Sequence, residues 1–218
     1  MIHFPKAALL AGLLALGAAG PGGAAAEAVV PQAVLFREGT LDALPQDHAL
    51  LYRRDVDLPA DAAFAAAQSG VMQLAHAPDA PGQVRLGFGP DSDHLRVLGA
   101  FPAATGNPMA MVHLETLVRD MARLTGGSQF YIRNRLKEAL LRPVAAAGTQ
   151  GGTEIVLHPF AGDANAARMG GFAGLEIRAV AGPSVPGWYR SLEAIAPDGS
   201  GGVLYRSVIR FEAEEALP

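Results

Sequence analysis

Residues 107–143 read NPMAMVHLETLVRDMARLTGGSQFYIRNRLKEALLRP, and their spacing predicts two helices joined by a glycine turn. Asn107-Pro108 is a helix start: Asn accepts a bond from a free amide of the first turn, and Pro is tolerated where no intrahelical donor is needed. Met111, Leu114, Val118 and Met121 then follow at spacings of three and four as one apolar stripe. Glu115, Arg119, Asp120 and Arg123 are expected on the other side. Thr125-Gly126-Gly127 ends this helix, because glycine closes a last turn in the left-handed conformation. Ser128 caps a second helix whose stripe is Ile132, Leu136 and Leu140, and Pro143 blocks its extension. So short a link folds the pair into a hairpin spanning about 108–142.

On either side the periodicity changes to that of strands. Val84, Leu86 and Phe88 alternate with Gln83, Arg85 and Gly87, the period-two pattern of a sheet with one buried face. Less regular runs at Val34 to Leu41, Ala49 to Val56 and His94 to Leu98 read the same way. Pro59 to Gln68 is an Ala-rich helix candidate ended by Gly70. Pro90-Asp91-Ser92-Asp93 carries turn chemistry and makes Gly82 to Leu98 a hairpin. After an Ala/Gly-rich break from Ala145 to Gly152, strands return at Glu154 to Leu157 and Leu175 to Val180. A last hairpin joins Trp188 to Ile195 with Val203 to Phe211, and the acidic tail from Glu212 to Pro218 is expected to be solvated or frayed. Strands, a helical hairpin and strands again make an α+β domain, mainly an antiparallel sheet with a central two-helix hairpin packed on it.

The first 26 residues have another grammar. A short start containing Lys6, an uncharged run from Ala7 to Ala26 with leucines confined to Leu9 through Leu16, and a small-residue tail predict a cleavable export signal. A cut after Ala26 or after Ala28 fits equally well. The apolar run is too short to span a bilayer, which takes roughly 20 apolar residues. Residues 27–218 would form a single domain. The chain contains no cysteine, which excludes a lipid-modified cysteine anchor, disulfides and thiolate metal sites. The expected product is periplasmic or secreted, and free in its compartment. Losing Lys6 and no acid moves the formal charge from −4 to −5, a balance that argues against general nucleic-acid binding.

Chemical motifs are sparse. Gly87-Phe88-Gly89 lacks the third glycine of a dinucleotide fingerprint, and no Gly-Lys-Ser/Thr loop exists. Ser128 lacks the second glycine of a hydrolase elbow and reads as a cap. Asp91-Ser92-Asp93-His94 offers oxygen and nitrogen ligands, but a calcium loop is incomplete and turn chemistry explains both aspartates. His113 begins no zinc motif; His48, His76 and His158 are isolated in sequence. No cofactor and no metal is expected. The hairpin is basic on a chain that is acidic elsewhere, which suits an anionic surface or an ordinary solvated face. Strand arginines Arg37, Arg53, Arg85, Arg96, Arg178, Arg190, Arg206 and Arg210 would pair across an outer face with Glu38, Glu176 or Glu193, or ring the mouth of a cavity if the sheet curves.

Export signal, antiparallel strands and a mid-chain helical layer together resemble the periplasmic half-barrels of the LolA-like and VioE-like class. The resemblance is one of layout and brings no site residue with it. It implies a concave apolar sheet closed by helices and, in carrier members, binding of acyl chains. The expected function is thus a binding or carrier module for a hydrophobic small molecule or lipid. Met109, Met111, Met121, Phe130 and Tyr131 would line its site, or simply fill the core. Two other readings stand beside it: an envelope scaffold acting through the hairpin, and a hydrolase assembled from distant residues such as Asp91, His94 or His158.

Overall fold

The computed structural model describes residues 27–217; the predicted export signal lies outside them. The fold is α+β. Ten antiparallel strands form one open sheet: β1 (Glu27–Val29), β2 (His48–Asp57), β3 (Gly70–His76), β4 (Gln83–Gly89), β5 (Arg96–Pro102), β6 (Val144–Thr149), β7 (Gly152–Leu157), β8 (Glu176–Ala181), β9 (Tyr189–Pro197) and β10 (Val203–Ala216). Their spatial order is β1-β6-β7-β8-β9-β10-β2-β3-β4-β5, so β1 and β5 are the edges and β10 joins the two halves by pairing with β2. The helices are α1 (Pro31–Leu35), α2 (Ala62–Gln68), α3 (Met109–Thr125) and α4 (Gln129–Leu141).

The central hairpin forms as its sequence predicts. Asn107 Oδ1 accepts from the Met109 amide, Gly126 closes α3 at φ 67°, and the Ser128 hydroxyl caps α4 at the Tyr131 amide. Asn107 does more than start a helix. Its Nδ2 donates to the Tyr52 hydroxyl and to the Gly187 carbonyl, tying α3 to β2 and to the turn before β9. In that turn Trp188 has φ 84°, a conformation a bulky residue adopts only when its surroundings impose it. Its indole N–H donates to the Val34 carbonyl, and Arg37 stacks on its ring.

Pairing register gives the sheet two unlike faces. Tyr52 faces Phe211 and Met72, Met72 faces Phe88, and Leu192 faces Ile209 and Ala179; all but half-buried Phe211 are nearly closed to solvent. This apolar face packs on the helical layer in one continuous core. The opposite face carries ion pairs, among them Arg178–Glu154 at 2.7 Å, Arg206–Glu193 at 2.6 Å and Arg210–Asp55 at 3.3 Å. Such exposed pairs add little stability each and keep the outer face wetted.

Several sequence expectations are corrected. Val34 to Leu41 is no strand: Pro31 opens the short α1 and a turn follows. Ala145 to Gly152 is no break but mostly β6, whose small residues pair with β1 and β7. The acidic tail is not frayed, because β10 runs on to Ala216 opposite His48 while Arg53 binds Glu212 and His48 binds Glu214. Asp120 does not sit on a solvated face: it is buried on α3 together with His113, Leu117 and Met121.

Candidate functional site

Beside α3, over β3 to β5, the apolar face of the sheet is left partly uncovered, and a cleft of ≈ 390 Å³ opens there. Its apolar wall is Met72, Phe88, Leu98, Phe101 and Ile209 from the sheet, with Met111 and Val112 from α3. Its polar part is Arg54 on β2, Gln68 at the end of α2, Arg96 on β5, and His113, Glu115, Thr116, Arg119 and Asp120 on α3. The volume falls in the range of small-molecule sites, and an apolar wall with a few convergent polar groups is their usual make-up.

Arg54 is the unusual member. Leu50, Tyr52, Arg54 and Val56 alternate onto the same face of β2, so a guanidinium stands where the pattern calls for a core side chain. Arg54 is only 7% exposed. Its Nη1 donates to Gln68 Oε1 at 2.9 Å. Its Nη2 lies 3.6 Å from Asp120 Oδ2, at ion-pair range but beyond a hydrogen bond, and has no hydrogen-bond partner among the described residues. Asp120 Oδ2 is held more tightly by the Tyr205 hydroxyl, which donates at 2.7 Å. Burial raises the pKa of Asp120 against the opposing pull of Tyr205 and Arg54, and burial lowers that of Arg54 against Tyr205 and Asp120. Desolvation therefore outweighs mutual attraction on both sides of the pair.

His113 sits behind them, 3% exposed, with Nε2 unpartnered among the described residues. Burial and, second, the charge on Arg54 push its pKa down to about 3, so the ring is neutral at physiological pH. At the mouth Glu115 is taken up by a two-pronged pair with Arg133, both contacts at 2.8 Å. Arg119 donates only to the Glu115 carbonyl and the Thr116 hydroxyl, and Arg96 only approaches the Phe88 ring. Among the described residues neither has a carboxylate partner.

No family model, curated protein or solved structure matches the chain.

The five residues singled out from sequence do not come together. Met111 stands half-open on the rim of the cleft, Met109 is wholly in the core, and Phe130 is 72% exposed on α4. Met121 and Tyr131 border a second cleft of ≈ 500 Å³ below the Gly126-Gly127 turn. The polar end of Tyr131 is already committed there: its hydroxyl donates to Asp163 at 2.7 Å and accepts from Asn165 Nδ2 at 3.0 Å. Burial acts to raise the pKa of Asp163, yet Tyr131, the Asn165 amide and Arg135 together hold it below the usual carboxylate range. That network latches α4 to the loop after β7.

Among the described residues no three ligating side chains gather for a metal. Asp91 and His94 do pair at 2.7 Å, and Asp91 Oδ1 also accepts the Asp93 and His94 amides, which is the expected turn chemistry. The pair is exposed and no described hydroxyl bonds to it. Arg54 escaped the sequence reading, although its signal was present: an arginine two residues from Tyr52 and from Val56 on one strand face. Asp120 left no such signal, since a stripe judged from one helix ignores what packs on its flanks.

Proposed function

We propose that the protein is an exported binding module that holds a hydrophobic, acyl-like ligand in the cleft between α3 and β3 to β5. The observation that carries this is the cleft beside α3, where Leu98 and Met111 stand part-open over the buried Met72 and Phe88. An open antiparallel sheet under a helical hairpin is also the layout behind the likeness to LolA-like and VioE-like half-barrels. No helix among the described residues is long and apolar enough to cross a membrane, which suits a module that works free of a span. Cleavage before Glu27 is favoured over cleavage before Val29, because the later cut removes two of the three β1 residues that pair with β6. The competing reading, docking of a partner on the hairpin, draws on Phe130 and Leu141 standing exposed on α4.

Native mass spectrometry of the protein recovered from the envelope of the cells that make it tests both parts. The expected spectrum shows a chain starting at Glu27 carrying one amphiphile of a few hundred daltons. A chain that keeps its first 26 residues removes the export reading. A bare chain that also takes up no octanoate or 1-octanol removes the ligand reading.

A further inference from the structure

The apolar wall accounts for a ligand's chain, but not for the polar floor. A buried guanidinium nitrogen and a buried imidazole nitrogen that make no hydrogen bond are costly to the fold. The two atoms without a hydrogen bond, Arg54 Nη2, whose one charged neighbour is Asp120 at 3.6 Å, and His113 Nε2, belong to residues that share the floor of one cleft. Two more guanidinium groups, Arg96 and Arg119, stand at the same cleft without a carboxylate partner among the described residues. The carboxylates that also line it are both engaged, Glu115 by Arg133 and Asp120 by Tyr205 and Arg54. The positive charge in the cleft is therefore the charge left over.

We infer that the cleft selects single-chain amphiphiles with a small anionic head, a carboxylate or a phosphate monoester, whose oxygens take Arg54 Nη2 and His113 Nε2 while the tail lies on Met72, Phe88 and Leu98. The inference rests on the reading of the cleft as a hydrophobic-ligand site and adds the chemistry of the ligand's other end. Gln68 already holds Nη1 of Arg54, so Nη2 is the buried guanidinium nitrogen left for the head, and the imidazole supplies a further donor. Both nitrogens are closed to solvent, so the head enters by displacing flexible side chains of the wall, such as Met111 and Arg119. Arg96 and Arg119, exposed at the mouth, draw the anion in by their charge.

Calorimetric titration of the mature protein with octanoate, octyl phosphate and 1-octanol at pH 8 separates the chemistries. At least one of the two anions is expected to bind roughly 10- to 100-fold more tightly than the alcohol, the factor a charged hydrogen bond supplies. The tighter of the two names the head. Arg96→Gln/Arg119→Gln, at exposed positions, is expected to reduce that preference. Arg54→Met/Asp120→Asn, which removes the buried charges together and keeps a partner for Tyr205, is expected to abolish it while 1-octanol still binds. Equal affinity for the alcohol and both anions overturns the head-group inference and leaves the hydrophobic site standing. Failure of all three to bind overturns both.

Discussion

Arg54→Met is expected to destabilise the protein by about 3–5 kcal/mol, read as a fall in the urea midpoint. The substitution leaves the Asp120 carboxylate buried with the Tyr205 hydroxyl as its remaining close partner, and breaking a buried pair from one side costs that much. Restoring consistency is expected to restore stability. In Arg54→Met/Asp120→Leu/Tyr205→Phe no charge and no hydroxyl is left unpaired, and replacing a buried polar group by apolar side chains of similar volume is often neutral or stabilising. The triple variant should therefore lie within about 1 kcal/mol of the parent. A loss under 1 kcal/mol in the single variant would mean that Arg54 already finds water, and the closed floor of the cleft would be wrong. The comparison matters for function, because a cluster that can be removed without loss of stability is not there to hold the fold together.

The second large effect is a loss of stability in mild acid. His113 has a folded pKa near 3 against an ordinary value of 6.5. Below pH 6.5 the unfolded chain takes up a proton that the folded chain refuses, so stability falls as pH drops and goes on falling until about pH 3. The whole interval is worth on the order of 4 kcal/mol, and the part between pH 6.5 and 5 about 2 kcal/mol. The fall in that upper part reports on His113, because the depressed carboxylates Asp61, Asp91, Glu115, Asp163 and Asp198 lose their contribution only as pH falls toward and through the usual carboxylate range, and Asp120, whose pKa burial raises, gains stability as pH falls. His94, whose pKa is raised by Asp91, acts in the opposite sense: its contribution is full below 6.5 and disappears as pH rises through its folded value. His113→Leu should flatten the dependence between pH 6.5 and 5 to less than half. Parallel slopes in parent and variant would place the titrating group elsewhere.

What could be read in the sequence was whatever a local rule decides. The hairpin of α3 and α4 needs only two stripes, Ser128, Gly126 and Pro143, and its bounds of about 108–142 match helices at Met109–Thr125 and Gln129–Leu141. The β4–β5 and β9–β10 hairpins are likewise decided by alternation and turn residues. Elements whose state depends on a distant partner were misread. Ala145 to Thr149 has little preference for a strand and becomes one because β1 and β7 lie on either side. Glu212, Glu214 and Glu215 are exposed as expected but form strand and not a frayed tail, because β2 continues beside them and offers Arg53 and His48. The candidate site belongs to this second class. Its chemistry joins position 54 to positions 113 and 120, and only the packing of α3 across β2 and β10 brings them together. Choosing methionines and aromatics on the hairpin found the rim at Met111 and missed the floor.

Occupation of the cleft by an acyl chain is tested most directly by methyl NMR on protein labelled at methionine and mixed with octanoate. The methyl groups of Met72 and Met111, on opposite walls of the cleft, are expected to show intermolecular contacts to the octanoate chain, while Met121 and Met169 of the second cleft show none. Contacts confined to Met121 and Met169, or none at any methionine with octanoate in excess, would contradict the assignment of the site.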